Sequence, residues 1–188
     1  MKTISIYENL VNRCVNRDEK AQKELYELFC IPMYNLCLRL AKNKFEAEDI
    51  YQDSFIKVFE NLKYLKNKNM LPGWIKKIFV RTAIDKIRMN KVDLIPIENS
   101  YNLKTESFDA IDLLQESDIL ELINSLPNKS RTVFLLYVVE GYSHKEIAEM
   151  MNINEGTSKS QLFDARNSLK KQIKKMELSL SRLEYAEL

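Results

Sequence analysis

Between Ser143 and Thr157 the chain spells two helix starts around a tight turn, and that arrangement leaves few folds open. In Ser143-His144-Lys145-Glu146 the serine hydroxyl can accept from the Glu146 amide while the Glu146 carboxylate reaches back, a capping box that begins a helix. Ile147, Ala148 and Met151 fall on the inner face of that helix. Asn152 and Asn154 are predicted to take the left-handed geometry of the turn, with Ile153 plugging the interface between them. Gly156-Thr157 then opens a second helix, with Thr157 as its expected cap. Small Ala148 allows the close backbone approach that two steeply crossed helices need, so the segment reads as a helix-turn-helix. On the second helix Leu162, Ala165 and Leu169 take inward spacing, leaving Lys159, Ser160, Gln161, Phe163, Asp164 and Arg166 for the exposed face. Glutamine pairs with adenine, lysine with guanine or phosphate, and aspartate accepts from cytosine, so this face suits DNA. An ordinary helical hairpin with a polar outer face fits the same pattern.

The rest of the chain agrees with helices. Only three glycines and four prolines punctuate 188 residues, too few for the turns of a β-rich protein, so the expected fold class is all-α. From Lys20 to Ala41 apolar residues recur at three- and four-residue steps and are interrupted at Pro32, which predicts two consecutive helices. A third is predicted from about Phe45 to Leu62, with Glu46, Glu48 and Asp49 at its dipole-favoured start. After the polar stretch Lys63 to Met70, Pro72 and Gly73 precede a helix from Trp74 to about Met89. Residues 92–115 lack sustained periodicity and read as a flexible acidic linker. Beyond it Ser117 to Leu126 is amphipathic, Pro127 and Asn128 break it, and Ser130 to Glu140 forms an apolar helix closed by Gly141. Two small helical domains follow, 1–91 and 116–175, with a tail at 176–188 that either docks a partner or packs on its own domain.

Charge is segregated far more than the net value of +2 suggests. Residues 63–91 carry nine Lys or Arg against one acid, residues 92–121 eight acids against one base, and residues 128–175 nine Lys or Arg against five acids. Two basic blocks around an acidic connector are the footprint of a polyanion binder, although a solvated helix face produces the same counts. The longest apolar run, Val133 to Val139, is far short of the roughly 20 residues that span a bilayer, and the N-terminus has no basic and apolar signal sequence. The chain is expected in the cytoplasm without membrane insertion. Cys14, Cys30 and Cys37 form neither a disulfide framework nor a zinc pattern and read as buried thiols. The one histidine, His144, reads as an exposed helix-start residue, and no phosphate loop, metal cluster or nucleophile elbow is present. No catalytic residue, metal or cofactor is therefore expected.

Longer stretches of wording carry a resemblance. Leu126-Pro127, Arg131-Thr132-Val133-Phe134-Leu135-Leu136, Glu140-Gly141-Tyr142-Ser143, Glu146-Ile147-Ala148 and Glu155-Gly156-Thr157-Ser158-Lys159-Ser160 resemble the DNA-reading domain of extracytoplasmic-function RNA polymerase sigma factors. Ala47 to Phe55 resembles that family's polymerase-binding helix, and Trp74 to Arg88 its promoter-melting helix. The resemblance implies a sigma factor that directs core RNA polymerase to promoters. It assigns Glu48, Asp49, Gln52, Asp53 and Phe55 to the clamp helices of the polymerase's largest subunit, with a second contact at the flap region. It assigns Lys66, Lys68, Trp74, Lys77, Arg81 and Arg88 to the minus-ten element, with a base pocket in the loop from Lys66 to Gly73. It assigns Thr157, Lys159, Ser160, Gln161, Phe163, Asp164 and Arg166 to the minus-thirty-five element. An anti-sigma factor is implied as a further partner. Trp74 at a helix start also fits a core anchor. Many members have arginine where Gln161 and Asp164 stand and valine where Ser158 stands, so the promoter sequence does not carry over. A stand-alone regulator, an enzyme and a helical adaptor are the rival classes. Dependence on core polymerase separates the first, and salt-dependent DNA binding the last.

Overall fold

The computed structural model describes residues 6–89 and 120–184, with side chains as far as Lys175. Every regular element among the described residues is helical, in two compact units, Met1–Asn99 and Ser100–Leu188. The all-α expectation holds. The tether expected at 92–115, the start of the amphipathic segment at Ser117 and the side chains of the tail lie outside the described residues.

The N-terminal unit is built from α1 (Glu8–Val15), α2 (Glu19–Leu40), α3 (Lys44–Asn61) and α4 (Leu71–Met89), with short 3-10 turns at Leu62–Tyr64 and Lys68–Met70. Helix α1 escaped the sequence reading; it buries Leu10, Val11 and Cys14, a pattern of under three turns. Asp18 then caps α2, accepting from the Lys20 and Ala21 amides at 2.9 and 3.2 Å and from Arg13 Nε at 2.8 Å. The Arg13 hydrogen bond, aided by the Ala21 amide, holds the Asp18 carboxyl below its ordinary pKa.

The expected break at Pro32 does not occur: α2 is one helix of 22 residues with the proline inside it. Ala21, Leu25, Phe29, Met33, Leu36, Cys37 and Leu40 form one buried seam that runs across the proline. Pro32 and Leu28, the residue whose carbonyl loses its helical partner, are both exposed, so water can satisfy that carbonyl. Packing of the seam outweighs the local cost.

Helix α3 starts where expected, with Asn43 accepting from the Glu46 amide at 2.8 Å and Glu46 accepting from the Lys42 amide at 2.6 Å. Helix α4 begins three residues before Trp74, because Pro72 fits a first turn whose amides lack helical partners. Phe79, fully buried on α4, meets Phe55 edge-on at 5.1 Å and Tyr51 at 6.1 Å, and Tyr26 and Tyr34 of α2 extend this aromatic cluster. At the far end of α4, Lys86 bridges Asp49 and Asp53 of α3. Partial burial lowers the Lys86 pKa, but the two carboxylate hydrogen bonds outweigh it and leave it raised. Cys14 and Cys37 are buried, and burial pushes their thiols up to about 11 and about 12. Cys30 is only half-buried, which departs from the expectation for that thiol.

In the C-terminal unit a helical stretch at 120–124 leads to α5 (Asn128–Phe134), whose last turn widens to a π-helix over Leu135–Val139. The helix thus begins two residues earlier than Ser130. Gly141, at φ +78°, reverses the chain so that the Tyr142 amide donates to the Leu136 carbonyl at 2.9 Å. Helices α6 (His144–Met151) and α7 (Glu155–Glu184) follow. Leu126, Val133, Leu136, Ile147, Leu162 and Ala165 form the core of this unit.

Two outcomes test these packing assignments. Phe79→Ala should destabilise the N-terminal unit by about 3–5 kcal/mol in denaturant unfolding, as removal of a buried aromatic ring does; a loss below 1 kcal/mol would show the cluster is not its core. The charge of Asp18, whose folded pKa is depressed, contributes stability that is full above the ordinary carboxylate value of 3.8 and is lost as pH falls through the folded value. The melting-temperature advantage of the native chain over Asp18→Asn should therefore be greatest near neutrality and vanish in strong acid, whereas an advantage that persists there would contradict the assignment.

Candidate nucleic-acid interface

Helix α4 presents Trp74, Ile78, Arg81, Thr82 and Asp85 at three- and four-residue steps toward the end of α3. There Lys57, Asn61 and Tyr64, themselves four and three residues apart, complete an open cleft of about 340 Å³. Lys57 Nζ donates to Thr82 Oγ1 at 3.1 Å and Asn61 Nδ2 donates to the Lys57 carbonyl at 2.8 Å, so the wall is fixed by its own hydrogen bonds. Trp74 is half-buried here, neither a sealed core anchor nor a free surface ring. Two aromatic rings, a lysine and an arginine around one cleft offer a base a stacking surface and its phosphate a counter-charge. The sequence reading placed such a pocket at Lys66 to Gly73 and missed Lys57, Asn61 and Tyr64. Their helical spacing was visible, but only the fold turns α3 toward Trp74.

The other basic residues of this block differ in exposure. Lys66, Lys77 and Arg88 are exposed, with Arg88 4.0 Å from Asp85. Lys68 is half-buried and donates to the Leu65 carbonyl at 2.5 Å, which ties it to the loop.

On the opposite edge of α3, Tyr26, Cys30, Ile31, Tyr34 and Asn35 of α2 face Glu48, Tyr51, Gln52, Phe55 and Ile56 across a groove of about 810 Å³. Ile31 is 70% exposed and Ile56 56%, an apolar floor open to solvent. Of the residues assigned to polymerase, Glu48, Gln52 and Phe55 line this groove. Phe55 is only 6% exposed and belongs to the aromatic core, while Asp49 and Asp53 are held by Lys86.

In the C-terminal unit both halves of the Ser143–Glu146 capping box are present. Asn152 takes the left-handed conformation at φ +53°, but Asn154 does not; instead it caps α7. Its Oδ1 accepts from the Thr157 amide at 2.6 Å and from Thr157 Oγ1 at 2.9 Å, so Thr157 is the third residue of the helix and not its cap. A Cβ at position 156 would lie 3.3 Å from that oxygen, tighter than an ordinary contact, so the glycine leaves room for the cap. Lys159, Ser160, Phe163, Asp164 and Arg166 are exposed on α7. Gln161 is half-buried instead, and its Oε1 accepts from Ser130 Oγ at 2.7 Å. His144 is half-buried too: its Nδ1 shares a 2.9 Å hydrogen bond with buried Ser158, and its ring stacks on Tyr137 at 4.4 Å. Arg166 lies 6.0 Å from that same tyrosine ring. The exposed helix-start reading of His144 is thus corrected, since it joins the π-turn to α7.

No helix among the described residues is long and apolar enough to cross a membrane, and none of them form a cluster suited to a metal. Residues 25–92 match the family described as Sigma-70 region 2, and residues 116–169 match Sigma-70, region 4. The ECF RNA polymerase sigma factor SigW of Bacillus subtilis is 31% identical over 84% of this chain and 91% of its own. The sigma factor SigV of the same organism is 31% identical over 78% and 87%. The sigma factor RpoE in complex with the anti-sigma factor NepR, from Bartonella quintana, shares the fold at TM-score 0.54 and 21% identity, covering 81% of this chain and 96% of that one. Both regions occur in the family's order and the likeness spans most of the chain, so it belongs to the extracytoplasmic-function RNA polymerase sigma factors, which bind RNA polymerase and direct promoter-specific initiation.

Proposed function

We propose that the Trp74 cleft receives an unstacked base of the promoter's minus-ten element while α7 reads the minus-thirty-five element. The observation that carries this is the meeting of Trp74, Tyr64, Lys57 and Arg81 around one cleft large enough for a nucleobase. Exposed Lys66, Lys77 and Arg88 supply phosphate contacts, and Lys68 supports the loop. On α7, Lys159, Ser160, Phe163, Asp164 and Arg166 face the major groove. Thr157 and Gln161 contribute chiefly by seating that helix, through Asn154 and Ser130 respectively.

Core polymerase, in this reading, docks its clamp helices on the α2–α3 groove. Glu48 and Gln52 form its polar rim, Ile31 and Ile56 its apolar floor, and Phe55 supports it from beneath. Asp49 and Asp53 act there through the α4 brace. Exposed Val138 and Val139 offer the flap region an apolar contact. The protein supplies binding energy and performs no bond-making chemistry, it works in the cytoplasm, and an anti-sigma factor like the one bound to the Bartonella protein holds it in check.

Run-off transcription with purified core polymerase, on promoters found by mapping new transcript starts after overexpression, tests the reading. Initiation should require both proteins, and its absence on every mapped promoter would refute the proposal. Trp74→Ala should weaken open-complex formation by about 5- to 150-fold, the equivalent of about 1–3 kcal/mol of base stacking, without changing affinity for core enzyme; undiminished open complexes would remove the cleft from the mechanism. Half-buried Cys30 lines the groove, so core polymerase should slow its alkylation by iodoacetamide while buried Cys14 and Cys37 stay unreactive throughout. An unchanged Cys30 rate in the complex would place the clamp elsewhere.

A further inference from the structure

The half of α7 that faces DNA in the proposed reading carries no net charge. Between Glu155 and Arg166 two cations, Lys159 and Arg166, balance two anions, Glu155 and Asp164. Moreover Lys159 Nζ sits 2.7 Å from Glu155 Oε1, so much of its attraction for phosphate is spent within the helix. A reading head without net charge gains little from counterion release, the main source of affinity for duplex DNA.

The same helix continues well beyond that head. At 1.5 Å per residue, its 30 residues extend roughly 45 Å. Ser160, Phe163, Asn167, Lys170 and Lys174 recur at three- and four-residue steps, which stacks them on one face, and Lys171 stands seven residues from Asp164 on its flank. The opposite face holds buried Ser158, Leu162 and Ala165 and half-buried Leu169 and Gln172. Gln172 Oε1 lies 3.0 Å from Ser125 Oγ, which places this face of the helix toward residues 120–125. Lys170, Lys171 and Lys174 are all exposed, and none has a carboxylate partner among the side chains described, which end at Lys175.

We infer that Lys170, Lys171 and Lys174 form a phosphate-binding stripe that anchors α7 on the DNA backbone beside the groove its N-terminal half reads. The lysines begin seven residues past Phe163, roughly 10 Å along the axis. That distance is comparable to the roughly 12 Å width of the major groove, so the stripe meets the strand bordering the groove when the reading residues lie within it. Its contribution is sequence-independent affinity, separable from the choice of bases made by Ser160, Phe163 and Asp164.

The inference rests on the minus-thirty-five reading, and the test separates the two. Holoenzyme assembled from core polymerase and the full chain is titrated onto a fluorescent mapped-promoter duplex, and onto one with a scrambled minus-thirty-five element, across a salt series. The variant Lys170→Gln/Lys171→Gln/Lys174→Gln keeps good helix formers and should bind both duplexes more weakly. Its log–log salt slope should be shallower by about 2 to 3, near 0.9 per lost phosphate contact, with the preference for the intact element preserved. The companion Lys170→Arg/Lys171→Arg/Lys174→Arg should keep the native slope. An unchanged slope in the glutamine variant, or an equal loss in the arginine variant, overturns the stripe and leaves the reading intact. A native holoenzyme indifferent to the scrambled element overturns both.

Discussion

Phe79 sits fully buried where α4 crosses α2 and α3, with its ring edge-on to Phe55 and Tyr51. This contact sets the depth and rotation of α4 against α3, and both candidate surfaces of the N-terminal unit are consequences of that setting. On one side it brings Trp74 and Arg81 to the end of α3, where Lys57, Asn61 and Tyr64 complete the cleft. On the other, the same aromatic cluster supports the α2–α3 groove through Tyr26, Tyr51 and Phe55. Edge-to-face rings have narrow geometric preferences, so a helix held by them slides and rolls less than one held by aliphatic contacts alone. The two surfaces therefore share one rigid support.

The C-terminal unit solves its positioning problem with polar groups instead. Its core is small, and α7 is seated by Ser130 on Gln161, His144 on Ser158 and Asn154 on Thr157. Each bond joins α7 to a different neighbouring segment, and the first two are partly buried. Partly buried hydrogen bonds resist slippage because breaking one leaves a polar group without water or partner. The exposed residues between them take no part in this seating, and the π-turn turns Tyr137 toward His144 and Arg166.

Charge in this protein is divided between holding the fold and meeting partners. Lys86 belongs to the basic block by sequence, yet its ammonium is committed to Asp49 and Asp53. Lys57 looks unremarkable in sequence but stands at the mouth of the cleft while bonded to Thr82. Local counts of charge therefore point to the region of a polyanion site and overstate the number of residues that serve it.

How far the sequence could be read follows from which interactions are local. Capping boxes, apolar periodicity and scarce glycine act within a few residues, so the helices, the all-α class, the helix-turn-helix and the family were determined by sequence alone. Pro32 misled because its local cost is overcome by a seam that spans α2, and α1 was missed because under three turns leave little period to detect. The fates of Phe55, Gln161, His144 and Lys86 were decided only by tertiary structure, since burial and partner choice depend on residues 14 to 37 positions away. Sequence spacing determines which side chains share a helix face; only packing decides whether that face meets solvent, a core or a partner.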